Sequence, residues 1–526
     1  MATRNLVRVD LPPGFHKPGT VYDAAGRWWN GNLVRWVDGI PRPVGGWATV
    51  KATSGAAVQA TGFPRGSHSW RGNDGSSWLA VGTTGTPSKA YAYNSGTLYD
   101  LTPGGLVNGQ QDGRLSTGAG SYNNAKYGLN LYGVGTIVSS LIPADTWSLD
   151  NFGETLLGVL TSDGIIYQWD RNVAHIFVAV TGSPPTGVRA VVVTPQRFLF
   201  ALGSTADPRL VSWPSQQTTT VWAPGVANSA GSFPIPTPGR LLAGMAMPTE
   251  TLIWTDADLW GAVYIGAPFY YRFDKRGDNC GIAGPNAWAM LDGAAYWMGN
   301  GQFYRYNGAV QTVQCDVLEH VFTDLSATQR AKISAVAVPD FGEVTWYYPS
   351  ASQSGTENDR YVTLNAQAGH WTHGYVGRSA CSSTGTFPVP LCWKSDGTLL
   401  QHETGRNHDG IVAFFESGPV ELGNGERDYL IGDVFPDTHG PGYSIGSYGV
   451  SKYGKTRTAL QLTLYGSAGP MSAESAFGPY DLVAPVTNVR ASGRQVRLFL
   501  SENPASSGQD WRCGPLRLDV RPGGSR

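Results

Sequence analysis

Apolar residues in this chain gather in short runs cut by Gly-containing turns. Similar segments recur from Trp78, Leu156, Phe198, Leu252, Ala294, Val344 and Pro390. The first spacing is 78 residues, and the later ones are 42, 54, 42, 50 and 46. A four-stranded propeller blade takes about 40–50 residues. The pattern predicts an all-β fold: a β-propeller with inserted loops over 51–103 and 146–410. The stretch 104–145, rich in Gly, Asn and Tyr, breaks the repeat and reads as an insertion.

Beyond the repeat the periodicity changes. Leu460, Leu462 and Leu464 alternate with polar residues, as do Val496, Leu498 and Leu500, and Leu516, Leu518 and Val520. Period-two alternation marks sheets with one wet face. Residues 411–526 therefore read as a separate C-terminal antiparallel β-sheet or sandwich domain with a loop at 437–456. Arg517, Asp519 and Arg521 should share its solvated face. A single segment has helical period: in 316–332, Val317, Val321 and Leu325 share a face with Leu318 and Phe322 beside them. Ser326, with Gln329 three residues on, is placed to cap a second short turn. The opening 1–50 holds Trp28, Trp29, Trp36 and Trp47, each near an arginine. It reads either as an assembly segment with guanidinium-stacked indoles or as a strand pair stapled to the core.

Composition supports many short strands. With 69 Gly and 34 Pro, about one residue in five disfavours long helices. Seven Asp-Gly and five Asn-Gly dipeptides supply hairpin turns. The formal charge is -1, so no global basic field exists to hold nucleic acid. The five cysteines are widely spaced without a CxxC pair, and are expected as reduced thiols. No apolar stretch at the N-terminus suits a signal peptide, and no apolar run is long enough for a spanning helix.

Candidate chemistry is sparse. Gly449–Thr456 matches GxxxxGK[ST], with Lys455 in the phosphate-binding position. A working loop of that kind needs a buried strand before it and a helix after it, and neither flank fits. The unit GSYxxxKYG occurs at 120–128 and again at 446–454, so the match reads as one copy of a Tyr/Gly loop. His402, Glu403, His408 and Asp409 crowd together without HExxH spacing. His370 and His373 should point to opposite faces of a strand. Asp74–Trp78 resembles the Asp-box turn of sialidase propellers but occurs once. No Gly-rich dinucleotide loop is present. No catalytic, cofactor-binding or metal-ligating residue is assigned.

Several phrases, in order, carry a resemblance. They are GRWWNGNLVRW…RPVGGW, TWSLDNFGE, GIIYQWD at 164–170, AYWMGNGQFYRYNG at 295–308, DVLEHVFTDL, SDGTLLQHETG at 395–405, and GRQVRLFLSENP…DWRCGPLRLDVRPGG. The set resembles the tail nozzle (tail hub) proteins of short-tailed bacteriophages, also called tail tubular protein B or packaged-DNA stabilisation proteins. It runs from Gly26 to Gly524, with no counterpart phrase for 104–145 or 437–456. The resemblance implies a virion protein made in the host cytoplasm: a homohexameric ring at the distal end of the tail. Its implied partners are further copies of itself, an adaptor (head-to-tail connector) protein, and tail fibres or spikes. Genomic double-stranded DNA would be retained and then conducted through the lumen without sequence-specific binding or catalysis. Under it, the two GSYxxxKYG loops are candidates for lining the nozzle tip. The competing readings are a propeller-type carbohydrate-active depolymerase and a monomeric propeller adaptor.

Overall fold

The computed structural model describes residues 5–115, 141–353, 355–422, 427–439, 460–469, 472–482, 486–504 and 510–523. Seven of its four-stranded antiparallel sheets form a seven-bladed propeller. Blade 1 is Phe63–Arg71, Ser77–Thr84, Lys89–Asn94 and Thr97–Asp100. Blade 2 is Trp147–Phe152, Thr155–Leu160, Tyr167–Trp169 and Val178–Ala179. Blades 3 to 6 follow, with first strands at Ala190–Val193, Leu241–Ala246, Trp288–Leu291 and Ser334–Val338. Each of the seven repeat markers lies in, or one residue before, the second strand of a blade. The long first spacing holds the insertion, of which 104–115 and 141–145 are described.

First strands line the axis. Those of blades 1 to 4 adjoin in turn, as do those of blades 5 to 7, and blade 7 returns to blade 1. Blades 4 and 5 are joined by backbone bonds from Gly281 and Ile282 to the carbonyls of Ala257 and Thr255. Buried tryptophans staple neighbouring segments through their indole N–H groups. Trp147 donates to the Thr83 carbonyl at 3.0 Å, Trp297 to Cys280 at 2.8 Å and Trp346 to Ala287 at 3.1 Å. Blade 1 admits Trp147 only because Gly82 lacks a side chain; a Cβ there would collide with the indole.

The last blade closes the ring. Ala380–Ser382, Leu391–Trp393 and Leu399–His402 supply three strands, and Trp47–Thr49 supplies the fourth. His402 pairs with Trp47 and Leu400 with Thr49. The opening 1–50, read from sequence as one segment, is thus divided between two domains. Its strand Leu6–Val9 pairs with Leu516–Pro522, and Trp28–Asn32 pairs with Phe414–Ser417.

Those pairings belong to a β-sandwich, which therefore draws on both chain ends rather than on 411–526 alone. One sheet runs Leu6–Val9, Leu516–Pro522, Tyr429–Phe435, Thr487–Gly493. The other runs Trp28–Asn32, Phe414–Ser417, Gln495–Glu502, Leu460–Ser467, Ser475–Asp481. The three alternating rows of the sequence face inward and are buried, as expected for inner faces of packed sheets. Asp519 departs from its expected place: it is buried beside exposed Arg521, which it holds at 2.7 Å.

Two further expectations are corrected. The helix is Leu318–Asp324 only, because Leu325 turns extended; a 3-10 turn, Arg330–Lys332, follows with Gln329 rather than Ser326 at its N-cap. Cys381 and Cys392 are not free thiols but form a disulfide across adjacent strands, their Cα atoms 4.2 Å apart. Both GSYxxxKYG copies, the GxxxxGKT match with Lys455, and most of the 437–456 loop lie outside the described residues. No described helix is long and apolar enough to cross a membrane.

Three of the four opening tryptophans are interior. Trp28 meets Phe415 at 4.7 Å and Trp36 meets Phe15 at 5.2 Å. Trp47 packs on His408 at 5.1 Å with the Arg378 guanidinium 4.6 Å above its ring. The stapled-strand reading holds for these three, and only Trp29 remains half-buried at the surface.

Candidate functional site

The hairpin Val34–Val37 and Ile40–Pro43 ties the propeller to the sandwich. Its turn, Asp38-Gly39, has both φ values positive, as an I′ turn needs. Arg35 on this hairpin reaches Glu343 of blade 6 at 2.8 Å and grips both oxygens of Glu403 at 2.8 Å. Its guanidinium stands 3.8 Å from the Phe341 ring centre. Burial opposes the Arg35 charge, but the two carboxylates outweigh it and raise its pKa. Burial also raises the Glu343 pKa, partly offset by Arg35 and reinforced by Glu403. The space beside this triad is about 50 Å³, room for a few waters and not for a sugar ring.

Where the two domains meet, an open groove runs on both sides of Trp29. One side is a cleft of about 640 Å³ against the helix Leu318–Asp324. Backbone bonds of 2.8 Å from Phe15 to Trp371, His16 to Trp28 and Lys17 to Asp316 pin Lys17 at its edge. The Lys17 ammonium lies 5.2 Å from the Trp29 ring centre. Burial lowers its pKa, and Arg360 adds to this while Glu416 opposes it. Asp324 accepts from the Ser352 amide at 3.0 Å and from Arg360 at 3.3 Å. Arg360 in turn stands over Tyr375 at 4.5 Å. The other side is a cleft of about 430 Å³ bordered by Val21, Tyr22 and Arg497. There Arg497 bridges Glu416 and Glu474, each at 2.6 Å. The groove thus carries cations over rings and carboxylates paired with arginines.

Beneath it, the His320 and His373 rings lie 4.7 Å apart. Burial and Lys17 push the His320 imidazole down to about 4 from 6.5, and burial with His320 pushes His373 well below its usual range. The folded state therefore resists protonation of both rings. Their contribution to stability is complete above about pH 6.5 and is lost as pH falls toward 4. Urea midpoints measured from pH 7.5 to 4.5 should fall below pH 6.5, and His320→Gln should flatten that decline. An equally steep decline in the variant would remove His320 as a source.

The other residues singled out in the sequence are structural here. Glu403 is held by Arg35; His402 accepts from Arg378 at 2.8 Å; Asp409 accepts from the Trp47 indole at 2.7 Å; His408 bonds the Val44 carbonyl at 3.2 Å. His370 packs near Trp36 at 5.9 Å, apart from the His320–His373 contact. Among the described residues no group of three His, Cys, Asp or Glu side chains is placed to hold a metal. Asp74 builds its own turn, accepting from the Ser76 hydroxyl at 2.6 Å and amide at 3.0 Å, and from Arg171 at 2.7 Å. Those bonds, led by Ser76, lower its pKa. The sequence reading missed Lys17, His320 and Arg360. His320 and Asp324 sit four apart on one helix face, a spacing that could have been read.

No protein-family model matches the chain, and comparison with curated proteins finds no match. Solved structures do resemble it at low identity. One is YCF48 bound to D1 peptide, with TM-score 0.38 and 8% identity, covering 68% of this chain and 97% of that one. YCF48 from Cyanidioschyzon merolae gives 0.37 and 8%, covering 68% and 98%. The extracellular domain of the putative hybrid two-component system BT4673 from B. thetaiotaomicron gives 0.28 and 9%, covering 71% and 57%.

Proposed function

We propose that this chain is a structural virion protein: the subunit of the homohexameric tail nozzle of a short-tailed bacteriophage. The observation that carries the reading is the ordered set of phrases from Gly26 to Gly524. Those phrases occupy fold-bearing positions. TWSLDNFGE spans the first strand and turn of blade 2, AYWMGNGQFYRYNG forms two strands of blade 5, and SDGTLLQHETG leads into and past the third strand of blade 7. The opening and closing phrases build the sandwich and its junction with the propeller.

Physical character supports it. Blades closed end to end make a stiff body. A near-neutral subunit presents little global charge for phosphate contacts, so DNA can pass without being held. Sixfold closure requires a heterologous contact between two different patches. The Trp29 groove is one such patch, seating a neighbouring copy, and the outer sandwich sheet bearing Ser475–Asp481 offers another. The role involves no catalysis; the adaptor and fibres or spikes dock on the assembled ring.

Mixing the protein with portal–adaptor particles and imaging by negative stain should reveal six copies in a distal ring. Trp29→Ala should reduce ring occupancy at least tenfold without changing the monomer's melting. A chain that ignores such particles, or that releases reducing sugar from host polysaccharide, overturns the proposal.

A further inference from the structure

One end of the propeller axis carries an unexplained concentration of guanidinium. Arg189 immediately precedes the first strand of blade 3, Arg240 that of blade 4, and Arg330 lies just before that of blade 6. All three line one cavity of about 250 Å³ at the mouth of the axial channel. Two carboxylates share it. Asp256 pairs with Arg240 at 3.3 Å. Asp145 is engaged by the Thr161 hydroxyl at 3.1 Å and the Gln110 amide. Arg330 makes a neutral bond to Asn300 at 3.1 Å. Among the described residues the Arg189 side chain has no hydrogen-bond or ion-pair partner.

A folded protein seldom keeps a half-buried guanidinium idle, because desolvation costs energy that only a partner recovers. Here burial and neighbouring Arg240 both work against the Arg189 charge, and Asp256 and Asp145 offset them only in part. Summed over the five charged groups the mouth is left with one positive charge. Ile142, Leu242 and Ile282 form an apolar side of the wall, while Thr146, Thr161, Ser162 and Thr328 bring hydroxyl groups to the rest. Planar forks from separate blades, aimed into a pocket with an apolar side, match a tetrahedral oxyanion attached to an organic body.

We propose that this mouth is a binding site for an organic phosphate monoester. Arg189 and Arg330 hold the phosphate, Arg240 completes the cradle while keeping Asp256, and the ligand's body lies on the apolar wall. The shared chemistry, a terminal phosphate, could come from a free nucleotide or from the 5′ end of a nucleic-acid strand. The inference does not depend on the nozzle reading.

Titration calorimetry on the full chain, with AMP, adenosine, inorganic phosphate and a short oligonucleotide with or without a 5′-phosphate, tests it. AMP should bind saturably with one site per chain, weaken with added salt, and exceed adenosine at least tenfold. Arg189→Ala should weaken AMP at least tenfold, with Arg189→Lys between. Arg209→Ala, at an exposed pair with Asp207, should change nothing. Because no described residue partners the Arg189 side chain, Arg189→Ala should also melt as the parent does, which separates lost binding from lost fold. Preference for the phosphorylated oligonucleotide over AMP would assign the site to strand ends, and the reverse to free nucleotides. Absence of saturable AMP and 5′-phosphate binding at millimolar concentration, or undiminished binding in Arg189→Ala, overturns the proposal.

Discussion

Replacing Arg35 with Met should cost the protein about 3–5 kcal/mol, the usual penalty for stranding a buried charge. Glu343 and Arg35 side chains are each 6% exposed, and Glu403 is 17% exposed. Without the guanidinium, two carboxylates would face each other in a space that holds only a few waters. Urea unfolding followed by tryptophan fluorescence would read the loss as an early transition of the junction. The deficit should narrow on acidification, since burial already raises the Glu343 pKa and its protonation relieves the repulsion. Adding Glu343→Gln and Glu403→Gln to Arg35→Met should recover part of the stability. A variant indistinguishable from the parent would mean the triad holds nothing together.

Deleting residues 1–50 should abolish the folded state. The cut removes the fourth strand of blade 7 and two strands of the sandwich. It also removes Phe15, Trp28, Trp36 and Trp47, all buried. Truncating one buried aromatic costs about 3–5 kcal/mol. Four together, about 12–20 kcal/mol, match or exceed the roughly 5–15 kcal/mol that a native domain possesses. The truncated chain is expected in the insoluble fraction, or as a species digested within minutes by trace protease. A soluble 51–526 fragment with the parent's cooperative melt would make the opening a dispensable appendage.

Much of this architecture is legible because local chemistry repeats. Trp78, Leu156, Phe198, Leu252, Ala294, Val344 and Pro390 mark second strands, whose hairpins are set by neighbouring residues. The sandwich rows show because each strand keeps one apolar face. What escaped depends on distant pairing. Trp47–Thr49 is three residues long and says nothing locally of its partner Leu399–His402. Cys381 and Cys392 look unrelated until antiparallel register sets them opposite. The apolar spacing predicts too long a helix because it continues through Leu325, while the backbone there turns extended to pair with Ser350. Glu403 and Asp409 resembled a loose ligand cluster because their real partners, Arg35 and Trp47, lie at the other end of the sequence. The channel-mouth arginines could have been found by alignment to the repeat: Arg189 and Arg240 each fall one residue before a first strand.

The closure of the ring by the chain's opening residues has a temporal consequence. Trp47 and Asp409, which bond each other, lie 362 residues apart. A ribosome adding about 5–20 residues per second needs roughly 20–70 s to cover that distance. Throughout that interval the nascent chain carries unpaired strand edges and uncovered indoles, while the first six blades emerge and fold. Synthesis of this protein thus obliges the cell to shelter Trp47–Thr49 until its partner strand Leu399–His402 has been made.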